Sequence, residues 1–272
     1  MKKNVLFKQI CIMTCFLALY NMVYSQDEYY LSTRIKPGDI CYRDGGGEER
    51  FVSYHDWDPS NPPGTPVGVV CFSFYGPYPP GTDGATGWHG WLVELGESDT
   101  CMWAPETSPC YNNTVATYAV AGINTPYNPN NYQKHRAMAD TCGWQNTYRI
   151  LEFIYTGQGA VLTDDLSPTL RYVFAEKNGV SDFSVKPSMQ HDSWYLPALG
   201  QVRLAYSEIG PVNKALAACG GTLISRFDSW HSSSEFQSPV NSAWGMNGRG
   251  VITIGNVAKK HRYKKVKAMR NF

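Results

Sequence analysis

Apolar and polar positions change rhythm along this 272-residue chain, and the change divides it into regions of different structure. The first third alternates in short runs. "KPGDICYRDGGGEERFVSYHD", residues 36–56, reads as a strand, a glycine turn and a second strand, with Gly45, Gly46 and Gly47 free to reverse the chain. "GTPVGVVCFSFYG", residues 64–76, is the densest β-branched and aromatic run, and "GWHGWLVELGE", residues 87–97, gives another strand. Together these predict a β-meander. Residues 104–135 are rich in Asn, Pro and Thr and read as surface loop with at most one strand.

The period then becomes helical. A helix is expected over 146–155, and another after Ser167-Pro168, where Ser can cap and Leu170, Val173 and Phe174 share a face. Leu199, Val202, Tyr206 and Ile209 form a stripe at spacings of three and four residues. Gly210-Pro211 breaks that helix and starts a second one with Val212 and Leu216 inward, stopped at Gly220-Gly221. Residues 242–272 return to two or three strands between glycine turns. Strands, then helices, then strands predict an α+β fold.

The amino terminus adds a compartment. Lys2, Lys3 and Lys8 precede an apolar run over residues 10–20, and Val23-Tyr24-Ser25 offers a cleavage site, so residues 1–25 read as a signal peptide. The run is shorter than the roughly 20 apolar residues of a membrane span, and no later segment is longer, so no span is expected in the mature chain. Six cysteines follow the leader, an even number in an exporting context. Cys101 with Cys110 and Cys142 with Cys219 are candidate bridges, set against the equally weighted reading that several are buried thiols. The cysteine spacing does not suit structural zinc.

With the element order in hand, five motifs carry a family resemblance: "WYLPALGQVRLAY" (194–206), "VNKALAACGG" (212–221), "WHSSSE" (230–235), "SAW" (242–244) and the closing "KVKAMRNF". In that order they resemble the C-terminal domain of bacterial collagen-like adhesins, the Lcl C-terminal type. "PGDICYRDGG", "PVGVVCFSF" and "CGWQNTYRI" are similar to the amino-terminal half of secreted paralogues from gut anaerobes. The resemblance implies a C-type lectin-like fold, small antiparallel sheets flanked by two helices with long exposed loops, and an adhesive role. The expected organisation is a β-rich half with loop over 26–130 and a C-type lectin-like core over 131–272, forming one continuous domain.

Three positions depart from the family pattern. Ala198 stands where the family has a capping Ser and Gln201 where it has Glu, which weakens the capping box by about 0.5–2 kcal/mol. Trp230 and His231 replace a Tyr-Trp pair, and Lys267 replaces an Arg, losing the bidentate fork.

Charge is polarised. Residues 259–272 hold seven Lys and Arg and no acid; with the three leader lysines set aside the chain's net +1 becomes −2, which leaves −9 on residues 26–258. Lys260, Arg262, Lys264, Lys265 and Lys267 would form a cationic edge strand able to attract an anionic polysaccharide or surface glycan, or would be only a solvated edge guarded against aggregation. Trp230, His231, Ser233, Glu235 and Trp244 suit stacking on sugar rings and pairing with their hydroxyls, unless the tryptophans are core. Asp56 and Asp58 are two residues apart, but the rest of a calcium loop is missing. No histidine spacing binds metal and no Gly-x-Ser-x-Gly elbow occurs, so neither cofactor nor metal is expected. Export and the acidic body exclude nucleic acid. The expectation is an exported, non-enzymatic module that binds a glycan or polyanion at the cell surface, with a structural or adhesive subunit contacting protein partners as the alternative.

Overall fold

A computed structural model describes residues 34–77, 86–111, 137–236, 242–247, 255–258 and 264–272. The leader, Lys259, Lys260, Arg262 and most of the Asn-rich loop lie outside the described residues. Residues 1–35 form a separate unit, of which only Arg34 and Ile35 are described, and residues 36–272 form one compact unit.

The predicted hairpin is present. β1 (Asp39–Arg43) and β2 (Glu49–Ser53) pair antiparallel from Asp39↔Ser53 to Arg43↔Glu49, and Gly47, at φ 88°, turns the chain between them. The long strands β3 (Thr65–Pro77) and β4 (Thr86–Glu94) follow. They do not form a simple meander: the order is β2-β1-β3-β4 with the closing strand β8 (Met269–Asn271) beside β4, because β3 returns to β1. The alternation explains the choice. Ile40, Val69 and Val93 lie side by side on one face of adjacent strands, so pairing β3 with β1 gathers three fully buried apolar positions.

The expected helices form with shifted ends. α1 (Gly143–Glu152) and α2 (Pro168–Tyr172) each run into a widened last turn, closed by Gln158 N–H to Phe153 O (2.9 Å) and Asn178 N–H to Val173 O (3.2 Å). Leu170, Val173 and Phe174 are buried as expected. Ser167 does not cap α2; its hydroxyl donates to the Trp103 carbonyl at 3.0 Å, a tertiary bond that outcompetes the local one. α3 (Leu199–Ser207) and α4 (Ile209–Ala218) break at Glu208, two residues before Gly210-Pro211.

The start of α3 corrects the expectation of weakened capping. Gln201 Oε1 accepts the Ala198 N–H (3.0 Å), and the hydroxyl of Ser234, from a distant strand, accepts the Leu199 N–H (2.9 Å) in place of a cap at residue 198. The next donor, Gly200 N–H, reaches Asp140 O at 2.8 Å. A Cβ on Gly200 would also lie 2.8 Å from Met138 O. Gly200→Ala is therefore expected to lower stability by about 1–3 kcal/mol, read as a shifted urea midpoint.

β5 (Ser229–Phe236), β6 (Ser242–Asn247) and β7 (Gly255–Ala258) make a second antiparallel sheet. The core lies between the first sheet, the α3–α4 pair and this second sheet, and gathers Ile40, Val69, Val93, Leu199, Val202, Leu216, Trp230 and Met246. β8 pairs with β4 at the edge of the first sheet, so strands from near both ends of the 36–272 unit share one sheet. The six cysteines among the described residues are free thiols, and neither candidate bridge forms.

The first sheet is strongly curled. In a flat sheet, four strand spacings would hold β2 and β8 about 19 Å apart. Yet Glu49 of β2 pairs with Arg270 of β8, and the Phe51 and Phe272 rings meet at 4.8 Å. The two edges are thus brought together by side chains, with the Trp194 ring lying against Gly68 beneath them.

Candidate functional site

Both sequence-predicted clusters fall at the seam where the last nine residues are threaded between the sheets. Residues 264–272 pair with three distant segments, around residues 98–101, 195 and 231. Cys101 N–H donates to Lys264 O (2.9 Å), His231 N–H to Lys265 O (2.9 Å), Ser98 N–H to Val266 O (2.9 Å) and Tyr195 N–H to Met269 O (2.8 Å). The tail is therefore an internal segment and not a solvent-facing edge.

Its cations are used inside the molecule. Lys267 is 0% exposed, and its ammonium donates to the carbonyls of Gly96 (2.8 Å) and Thr222 (2.9 Å). Burial pulls its pKa down to about 8, partly opposed by Glu94 and Glu97. Lys264 is 4% exposed, folded against Gly245, and burial lowers it to about 8. Lys265 is half-buried and bridges Glu97 (2.6 Å) and Asp228 (3.1 Å), which raises its pKa. Arg270 is buried on Glu49 with its guanidinium over Trp194. The expectation of a free cationic surface is corrected for Lys264, Lys265 and Lys267; Lys260 and Arg262 lie outside the described residues.

The Trp/His/Ser cluster is likewise interior. Trp230 is 0% exposed, packed at a tilt against Tyr206 with 4.8 Å between ring centroids, and Trp244 is buried. His231 is 2% exposed, and its Nε2–H donates to Cys101 O at 2.9 Å. Burial lowers its pKa to about 3, so it is neutral at physiological pH. Ser232 donates to Trp244 O (2.7 Å), and Ser233 accepts from Asn146 Nδ2 (3.3 Å). Ser234 donates to Asp140 Oδ2 (2.6 Å), while Glu235 is also buried. Each hydroxyl joins β5 to another segment, so these residues align the sheet with α1 and α3 and present no ring face to a sugar.

Sequence reasoning missed the partners. Asp140 also accepts from Asn146 Nδ2 and the Cys142 N–H, both at 2.9 Å, and so collects three donors. Glu94, itself buried, accepts from Tyr172 OH (2.8 Å) and the Ala268 N–H (2.5 Å) and pairs with Lys177 (2.5 Å). The one available signal was the acidic run Glu94–Glu97, whose charge complements the tail, but nothing in spacing relates segments more than 160 residues apart. Among the described residues, no group of three or more His, Cys, Asp or Glu is placed to hold a metal ion, and no helix is long and apolar enough to cross a membrane.

Among the described residues the large exposed apolar side chains are scattered: Tyr75, Val161, Val185, Leu223 and, the most exposed, Phe227. Beyond Val69 the pairing of β3 with β1 ends, and β3 and β4 continue together as an arm. Phe72 stacks on Trp91 (4.6 Å), Phe74 lies beside His89 (5.7 Å) and Tyr75 meets Trp88 edge-on (5.4 Å). Tyr75 is 47% exposed and the other five are half-buried.

No protein-family model matches the chain, and no curated protein matches it. Among solved structures it is similar to the crystal structure of a fimbrial protein from Bacteroides ovatus ATCC 8483, with a TM-score of 0.60 and 15% identity over 88% of this chain and 49% of that one. The chain thus spans about half of that protein's length, and the likeness is one of fold.

Proposed function

We propose that this chain is an exported structural or adhesive subunit of a cell-surface assembly, non-enzymatic, which works through contact with other proteins. The observation that carries this reading is the fold likeness to a fimbrial protein across most of the chain. The fate of the chemically rich residues supports it. Lys264, Lys265, Lys267 and Arg270 and the Trp/His/Ser cluster are spent on holding segments together. Export by a signal peptide over residues 1–25, kinship with the collagen-like adhesin C-terminal domains and a C-type lectin-like topology belong to the same proposal. The two consecutive helices packed on small antiparallel sheets are in keeping with that topology.

The reading is tested by surface cross-linking of intact cells that make the full chain, followed by its purification under denaturing conditions. A reproducible cross-linked protein partner in the envelope fraction is expected. Recovery of the chain uncross-linked from the cytosol would contradict the proposal.

A further inference from the structure

We infer that Arg171 and Lys186 form a docking site for an acidic segment of a partner protein; this rests on the reading of the chain as a subunit that works through contact with other proteins. Three observations converge on it. The loop that follows α2 lies along α1: the Gln190 carbonyl accepts the Trp144 Nε1–H (2.8 Å), the Lys186 ammonium lies 4.7 Å over the Tyr148 ring, and the Phe183 carbonyl accepts the Tyr155 hydroxyl (2.8 Å). The Arg171 guanidinium in turn lies 3.6 Å over the Phe183 ring, so aromatic faces fix both half-buried cations in advance of any partner. Neither cation has an acceptor. Among the described residues no hydrogen bond or ion pair ties either side chain, and Arg171 Nη1 is buried without a partner. Asp182, in the same loop, instead accepts the Ser184 N–H (2.8 Å). Arg43, Arg50, Arg149, Lys177, Lys265 and Arg270, by contrast, all pair with acids. A buried N–H without an acceptor is rare, because it gives up water for no return.

The third observation selects the occupant. A carboxylate matches the guanidinium fork in charge and shape. A sugar acid would also call for a ring face to stack on, but Arg171 covers Phe183, and the Tyr148 ring is contacted by both Lys186 and Trp144. Beside the cations, Val185 is 69% and Val161 43% exposed. They belong to the two segments that meet at Tyr155, whose oxygen also accepts the Leu162 N–H (3.1 Å). Exposed apolar side chains next to two cations suit a protein segment in which Asp or Glu alternates with apolar residues.

Lys186 supplies its own reporter, because a carbodiimide joins an amine to a carboxylate in direct contact with it and takes up the lost water as a urea. Intact cells that make the full chain are treated with a carbodiimide, and the linked peptides are read by mass spectrometry. An amide from Lys186 to an Asp or Glu of another protein is expected. Arg171→Gln is expected to lower its yield by more than about tenfold, while the acetylation rate of Lys186 and the circular dichroism spectrum stay as in the parent. Lys186 linked only to acids of its own chain, or a yield unchanged in Arg171→Gln, would overturn the inference. So would a link from Lys186 to a sugar acid, since that assigns the site to glycan. The broader cross-linking experiment separates these outcomes from failure of the subunit reading: an envelope complex joined through other residues, with Lys186 unlinked, would leave the subunit role standing and remove only this contact.

Discussion

Between pH 7 and about pH 4 the parent chain should lose about 3 kcal/mol more stability than His231→Gln. The histidine is buried against the Cys101 carbonyl with its pKa lowered to about 3, below the ordinary 6.5. A depressed histidine pKa means the folded state holds the neutral ring while the unfolded state takes up a proton first. The stabilisation is complete above the unfolded pKa, declines as pH falls below it, and is fully lost only below the folded value. Urea denaturation at the two pH values reads it directly. Gln can still donate to the carbonyl but does not titrate, so its loss on acidification measures the other groups alone. Equal losses in the two proteins would place His231 in solvent.

Glu94→Ala should destabilise the chain by about 3–5 kcal/mol, because it removes one member of a buried ion pair and leaves the other members without an acceptor. The Ala268 N–H and the Tyr172 hydroxyl both lose their partner, and Lys177 loses its counter-charge. Glu94→Gln keeps an acceptor in place and is expected to cost less. Midpoints and slopes from urea denaturation distinguish the cases. A loss below about 0.5 kcal/mol for the alanine variant, the scale of ordinary surface substitutions, would mean that the tail does not dock on Glu94.

The parts of the structure that were legible in the sequence are those governed by neighbours along the chain. The hairpin at residues 39–53 was announced by its glycines. The long strand through Val69 and Phe72 was marked by its β-branched run, and the paired helices by the stripe through Leu199, Val202 and Tyr206. Strand order was not legible, because β3 chooses β1 over β2 through burial on a shared face, which no local period records. The candidate site failed for a related reason. Seven cations in a short tail look solvated when read alone. The carboxylate partners of Lys265 and Arg270, namely Glu97, Asp228 and Glu49, lie between 37 and 221 residues away, so only the fold shows that these charges are internal. Ser234 makes the same point at smaller scale. It lies in the Trp230–Glu235 run read as sugar-binding, yet its hydroxyl accepts the Leu199 N–H of a helix 35 residues earlier in the chain and donates to Asp140.

The internal role of the tail's cations depends on residues 264–272 being threaded inward. Amine-acetylation footprinting with mass spectrometry measures that most directly, by comparing Lys264 and Lys267 with the exposed Lys36 and Lys214 of the same folded chain. The account predicts that Lys264 and Lys267 label at least about tenfold more slowly, and reach the rate of the exposed lysines only on unfolding. Labelling of Lys264 and Lys267 as fast as Lys214 in the native protein would contradict it and return the tail to the surface.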